Sequence, residues 1–396
     1  MSAGTENAST PSGTWEPAPA ARWEDAFLSG NGRHGTLVFG DPNDDRVIVT
    51  HHTLVRPNGG EHARPPELAA EITPLRDRSL AGDLTAAEEF TDGHPLQWVQ
   101  PFHPAFQVRL RRPSDGERDH RRTVDFTTGV AEAHCAGRRS RVFVSRADDV
   151  IVQYVTSPGP ALDITLDHRL PGAPDGLGVS DGAVLTPEGA VLTLSARYPG
   201  SDRAYTGVTP AVVTGGRTTL TAPGLRVADA ESVLLLTRVE RHGGELDTVA
   251  RAQALRALLP DSGDPDSGDP YGGLLERIER PGSPALLERL FAAGRYHLLS
   301  ASGMLPPRLT GLWTGDWDTA WSGAFTTDTN LNLQTAAVLR PTRTHRVDLR
   351  TPSGVRQLDL RAGEDRVLTL GPRRTYSAAD PHIPPPMEGT PWHHAR

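Results

Sequence analysis

Residues 305–334, LPPRLTGLWTGDWDTAWSGAFTTDTNLNLQ, gather side chains whose types and spacing suit work on a sugar. Trp313, Trp317 and Trp321 recur every four residues among Gly, Thr and Asp, and Asp328, Asn330 and Asn332 follow. An indole can cover the apolar C–H face of a sugar ring while short amides and carboxylates hydrogen-bond its hydroxyls. The same residues also suit a loop pinned by buried tryptophans, and composition alone leaves both readings open. Asparagine is a poor choice for a helix interior or a strand centre, so the pair Asn330 and Asn332 asks for a reason.

Other chemistry-bearing residues point elsewhere or nowhere. Cys135 is the single cysteine, which excludes an intramolecular disulfide and a cysteine-based zinc site, and it reads as an inert thiol. His51 and His52 read as structural hydrogen-bonding groups, and Asp316 and Asp318 as loop carboxylates. His393 and His394 near the end have no companion ligands, so no metal or cofactor is expected.

Behind these residues stands a chain of 396 residues with net charge −8, long enough for more than one domain. The positive charge is all arginine, with no lysine anywhere, and no basic patch suggests a nucleic-acid partner. No apolar run approaches the ~20 residues of a membrane helix, and the N-terminal residues lack a signal-peptide pattern. A cytoplasmic protein of unassigned oligomeric state is the expectation.

The elements that would position the site fall in order. Residues 1–20, rich in Pro, Ser and Ala, read as disordered. Between 21 and 245, short runs such as GTLVFG, RVIVT, SRVFVSR, DVIVQYVTS, LDITLDHRL, AVLTLSARY and SVLLLTRVE predict strands of a β-sandwich. PELAAEITPLRDRSLAGDLTAAEEF interrupts them as two short helical pieces. Residues 246–282 predict a helical linker followed by a loop containing the tandem DSGDPDSGDP. A helix follows from Pro284, capped by Ser283 and stopped by Gly303. Its apolar face is Leu286, Leu287, Leu290, Phe291, Gly294 and Leu298. Residues 341–371 return to three short β-type runs separated by turns, and 372–396 read as a disordered tail.

Several of these stretches together resemble glycoside hydrolase family 95, the α-L-fucosidase type. The matching residues are Gly294-Arg295-Tyr296, Leu305-Pro306, Gly311-Leu312-Trp313, Trp321-Ser322 and Thr329-Asn330-Leu331-Asn332-Leu333-Gln334, in family order. LSGNGRHGTLVFGDPNDDRVIVTHHTL near the N-terminus is similar as well, as are LAGDLTAAEEF, QPFHPAFQVRL and RRTVDFTTGVAEAH. The resemblance implies a mainly β fold with α: an N-terminal β-sandwich, a helical linker, a fragment of an (α/α)6 barrel at 283–340, and a short C-terminal β segment. It implies inverting hydrolysis of α-L-fucosides or related α-glycosides, with Asn330 and Asn332 positioning the attacking water. Trp313, Trp317, Trp321 and Asp328 would shape the sugar site.

The chain departs from the family after Gln334. Family barrels run far beyond this motif, whereas TAAVLRPTRTHRVDLRTPSG leads at once into β-type patterning. No motif for the family's acid glutamate is found, so the general acid is unassigned. An inverting site needs an acid and a base about 6.5–9.5 Å apart. Impaired catalysis is therefore expected, and a non-catalytic carbohydrate-binding sandwich is the alternative.

Overall fold

The computed structural model describes residues 13–57, 70–83, 85, 100–113, 119–259, 286–326, 329–335, 345–351 and 354–360. Period-two alternation builds most of it. Leu162, Ile164 and Leu166 are buried along one strand, and Ala190, Leu192, Leu194 and Ala196 along another, with the intervening side chains turned outward. All seven runs named above form strands.

In chain order the strands begin with β1 (Gly13–Glu16), β2 (Phe27–Gly30), β3 (His34–Val38) and β4 (Asp44–His51). Next come β5 (Phe106–Arg111), β6 (Arg121–Asp125), β7 (Ala131–Cys135) and β8 (Arg138–Ser145). Then follow β9 (Val150–Thr156), β10 (Ala161–Asp167), β11 (Gly178–Thr186) and β12 (Gly189–Arg197). The set ends with β13 (Arg203–Thr214), β14 (Arg217–Thr221), β15 (Gly224–Ala228) and β16 (Ser232–Gly243). They form two antiparallel sheets, one ordered β1-β6-β7-β8-β9-β16-β13-β12-β11 and the other β14-β15-β10-β5-β4-β3-β2. Leu37, Val49, Phe106, Leu110, Tyr205 and Leu235 are among the fully buried residues of the shared core.

The fold begins earlier than the sequence suggests. Residues 13–16, assigned above to a disordered end, are the edge strand β1, with Gly13 opposite Asp125 and Glu16 opposite Arg122. A four-residue strand leaves little periodicity to read, and its pairing partner lies about a hundred residues away.

Helix α1 (Ile72–Leu80) accounts for the middle of the predicted helical insertion. The flanking 58–69 and 86–99 lie outside the described residues. Helix α2 (Thr248–Arg256) starts where Asp247 accepts the Ala250 N–H at 2.9 Å. It covers the outer face of the first sheet. Ala252 and Leu255 cluster with Phe143, Val150, Val152, Val208, Leu234 and Leu236. That cover explains why β9 and β16 read as nearly continuous apolar runs: both faces are buried.

By contacts the chain divides at 335, with Met1–Thr335 as one unit. The sandwich, α2 and residues 286–335 of the predicted barrel start thus belong to one unit, and 336–340 of that prediction fall in the second. In the second unit, β17 (His345–Thr351) and β18 (Gly354–Leu360) form a hairpin, Thr351 opposite Gly354. The third predicted run and the tail from 372 lie outside the described residues. No helix among the described residues is long and apolar enough to cross a membrane.

Candidate functional site

Helix α3 (Leu286–Ala301) ends against the sandwich. Its seat is Tyr296, Ser300 and Ala301, all buried, while Gly294 is exposed. Of the predicted apolar face, Leu298 is half-buried and a Cβ added at Gly294 would meet nothing within 4 Å, while the side chains of Leu286, Leu287, Leu290 and Phe291 lie outside the described residues. The Tyr296 hydroxyl donates to the Leu28 carbonyl, and its ring lies 5.3 Å from Phe126. The Gly-Asn-Gly-Arg motif receives the helix end. Gly32 N–H donates to Ser300 O at 2.8 Å, and a Cβ on Gly32 (φ +85°) would lie 2.2 Å from Ser302 O. Asn31 braces the motif from inside, donating to Ser145 O at 2.8 Å and accepting from Arg33 and His34 N–H.

Arg146 closes the helix. Its guanidinium donates to Leu299 O and, at 3.3 Å, to Ser302 O, placing a cation on the carbonyl end of α3. Arg146→Met is expected to cost about 1–2 kcal/mol, the worth of charged hydrogen bonds to a helix end. Urea denaturation measures it, and an unchanged midpoint would deny the cap.

The tryptophan loop follows. Trp313 is buried with its indole N–H on Ser29 O at 3.0 Å, and Thr50 Oγ1 donates to Leu312 O. Trp317 is 0% exposed. Its backbone N–H donates to Pro171 O at 2.9 Å, and its ring stacks on His103 at 3.7 Å with 7° between planes. His103 Nδ1 lies 2.9 Å from Pro104 O, which can only accept, so this nitrogen bears the proton. Nε2 then accepts from the Tyr198 hydroxyl at 2.9 Å. Burial pulls the His103 pKa down to about 3, so the ring is neutral.

Trp321 sits differently, at 85% exposure. It opens a left-handed turn: φ is 54° at Trp321, 55° at Ser322 and 52° at Gly323. Left-handed backbone at a residue with a side chain costs about 1–3 kcal/mol, so the surroundings must hold it. Phe102 N–H donates to Ser322 O at 2.9 Å, Leu309 N–H to Ala324 O at 3.0 Å, and Arg308 Nη1 to Gly323 O at 3.2 Å. Of the three tryptophans, the structure leaves one indole face open to solvent and uses the other two as pins.

Asn330 and Asn332 lie on a short helix, α4 (Thr329–Thr335). Residues two apart on a helix are separated by about 200° around the axis. Asn330 is half-buried. Gln334 ties α4 to the loop, donating to Arg308 O at 3.1 Å. Asp328 lies outside the described residues. Asp316 accepts the Asp318 N–H at 2.8 Å as part of a loop turn, and Asp318 is exposed.

His51 and His52 end β4 beside this region. Their rings lie 4.6 Å apart, and His34 lies 4.5 Å from His51. His34 Nδ1 meets Asp149 at 2.9 Å. Burial, with the neighbouring histidines, pulls His51 down to about 2, and burial with Arg33 pulls His52 down to about 4. Both rings are neutral near pH 7, and His51 is held by Thr53 at 2.7 Å. Among the described carboxyls, burial raises Asp45, to about 6. It stands at the far end of β4 from His51, about 20 Å away at ~3.3 Å per residue. No cluster of three or more His, Cys, Asp or Glu side chains that could hold a metal ion occurs among the described residues.

Two family models match the chain in succession. The glycosyl hydrolase family 65 N-terminal domain matches residues 14–242, and the glycosyl hydrolase family 95 catalytic domain matches residues 258–336. Alpha-L-fucosidase 2 of Arabidopsis thaliana is 24% identical over 383 residues, covering 80% of this chain and 45% of that protein. Probable alpha-fucosidase A of Aspergillus oryzae is 23% identical over 406 residues, covering 84% and 53%. The Aspergillus niger protein of the same name is 43% identical over 67 residues, 16% of this chain and 8% of its own length. The chain spans about half the length of the first two relatives. Since the first model covers more than half of the residues and the second follows it in order, the chain belongs to the glycosyl hydrolases: a family 65 N-terminal domain joined to part of a family 95 catalytic domain.

Proposed function

We propose that the 302–335 region binds α-L-fucosides or related α-linked sugars, with Trp321 stacking on the sugar ring and Asn330 holding the attacking water, Asn332 standing about 200° from it around α4. Asp328 is the carboxylate nearest to them in sequence. The observation behind this reading is the exposed Trp321 indole, held on a strained left-handed turn that Arg308 links to the asparagine-bearing helix. Strain of this kind gathers at binding and catalytic sites. Trp313 and Trp317 support the loop from the core.

Hydrolysis also needs a proton for the leaving oxygen, and losing a general acid typically costs about 10²–10⁴-fold. The sequence carries no motif for the family's acid glutamate. This favours a second reading, in which the chain recognises the sugar without turning it over.

Titration of the 396-residue protein with L-fucose, beside an aryl α-L-fucoside assay, tests both. Expected is binding that falls about tenfold or more in Trp321→Ala, the loss of one stacked ring. Turnover that disappears in Asn330→Ala would establish hydrolysis. Binding without turnover would establish the second reading, and absence of both would end the proposal.

A further inference from the structure

We infer that Arg308 is a positioning residue for this sugar site, holding the Trp321 turn and the asparagine-bearing helix on the sandwich; the inference rests on the reading just given. Arg308 is 7% exposed, yet no carboxylate lies within 4 Å of its guanidinium among the described residues. Burial lowers its pKa to about 10, so it stays cationic at neutral pH. A buried cation without a counter-charge is costly unless hydrogen bonds and packing compensate, so its contacts should explain its presence.

Those contacts join three pieces of chain. Nη2 donates to His52 O at 2.9 Å, at the end of β4, and Nη1 donates to Gly323 O at 3.2 Å, the third residue of the left-handed turn. The guanidinium lies over the Phe102 ring, 4.8 Å from its centroid, and over the Phe325 ring, at 4.2 Å. Phe102 is also the residue whose N–H holds Ser322 O. The Arg308 carbonyl receives Gln334 Nε2 at 3.1 Å, and Gln334 lies on the helix of Asn330 and Asn332.

The chemistry demands arginine here. Two carbonyls on different segments need two divergent N–H donors, and contact with two aromatic rings suits a flat cation. Lysine supplies a point charge that can satisfy one carbonyl well but lacks that flat face. Among the described residues Nε is buried without a hydrogen-bond partner, so the side chain is not arranged for its own greatest stability. Its arrangement instead fixes one residue of the turn relative to the sandwich.

The test is hydrogen exchange by mass spectrometry on the full chain, comparing wild type with Arg308→Met and Arg308→Lys, with Arg146→Met as control. Expected in Arg308→Met is faster exchange confined to 319–335, with 28–57 and 296–302 unchanged and Arg308→Lys intermediate. L-fucose titration of the same proteins should show affinity falling about tenfold in Arg308→Met and holding in Arg146→Met. Faster exchange throughout the sandwich, or none anywhere, would overturn the inference. So would equal loss of affinity in Arg146→Met, since general stability would then be the cause. If Arg308→Met does not fold, Arg308→Lys is judged by the same criteria. If the wild type binds no sugar, the functional reading fails, and the exchange pattern alone still decides whether Arg308 holds the turn and the helix.

Discussion

Acidification from pH 7 to pH 5 is expected to remove about 3 kcal/mol of stability, read as a fall in the urea midpoint, well before ordinary carboxylates titrate. The cause is a set of histidines folded in their neutral form. His103 is fully buried and pulled down to about 3, and His51, also buried, is pulled down to about 2, in both cases first by desolvation. A group whose folded pKa is depressed contributes stability that is present above its unfolded value, near 6.5, and lost as pH falls toward the folded value. At pH 5 each has lost about 1.5 pH units, roughly 2 kcal/mol, so the two lose about 4 kcal/mol. His52, half-buried and pulled down to about 4, adds a smaller, screened share.

Asp45 opposes them. Desolvation raises its pKa to about 6, so its contribution is present below the unfolded value and lost as pH rises through about 6. Acidification to pH 5 therefore returns about 1 kcal/mol from this buried group. Asp149 is held below the usual carboxylate range: burial pushes it up, but its hydrogen bonds to His34, Asn31 and Arg33 outweigh that. It titrates below this window. His51→Gln should recover about 2 kcal/mol of the loss at pH 5. Equal urea midpoints at pH 7 and pH 5 in the wild type would refute the account.

The sandwich was legible in the sequence because a strand with one buried face prints its period-two pattern directly, as in LDITLDHRL and AVLTLSARY. The doubly buried β9 and β16 were legible as apolar runs, although what covers them was not, because α2 lies about ninety residues beyond the end of β9. The seat of α3 on the sandwich is not legible in the sequence for a similar reason. Helical spacing marks an apolar face, but Tyr296 meets Leu28 and Phe126, and Ser300 meets Gly32, all remote in sequence. Trp313, Trp317 and Trp321 have equal spacing and unequal fates, since loop backbone follows no fixed period. The residue after each also engages in a local turn, but only Trp321 is followed by a Ser-Gly pair, which continues the left-handed bend. Arg308 gave one signal, a cation set between prolines and leucines in LPPRL, but its partners His52, Phe102 and Gly323 come from three other stretches.

Trp317→Ala is expected to be the most destabilising substitution in the 302–335 region, at about 3–5 kcal/mol, because it empties a fully buried site. The cavity would open against His103, whose ring loses its 3.7 Å stacking partner, and beside Tyr198 and Tyr205, at 6.4 and 6.3 Å. Trp317→Phe separates packing from polarity. Among the described residues the buried indole N–H has no hydrogen-bond partner, and a buried donor left so costs about 1–3 kcal/mol. Phenylalanine keeps an aromatic face for His103 and removes that donor, so the smaller ring's cavity is partly offset and the net loss should stay below about 2 kcal/mol. Trp321→Ala completes the comparison, since an indole exposed to water has little packing to lose and should change stability by no more than about 0.5 kcal/mol. Urea midpoints for the three variants decide the point. The order Trp317→Ala far below Trp317→Phe, with Trp321→Ala near wild type, would mean that one tryptophan holds the loop while the other is free to meet a ligand. Similar losses at Trp317 and Trp321 would mean that both indoles serve packing, and the proposed sugar face would be lost with that result.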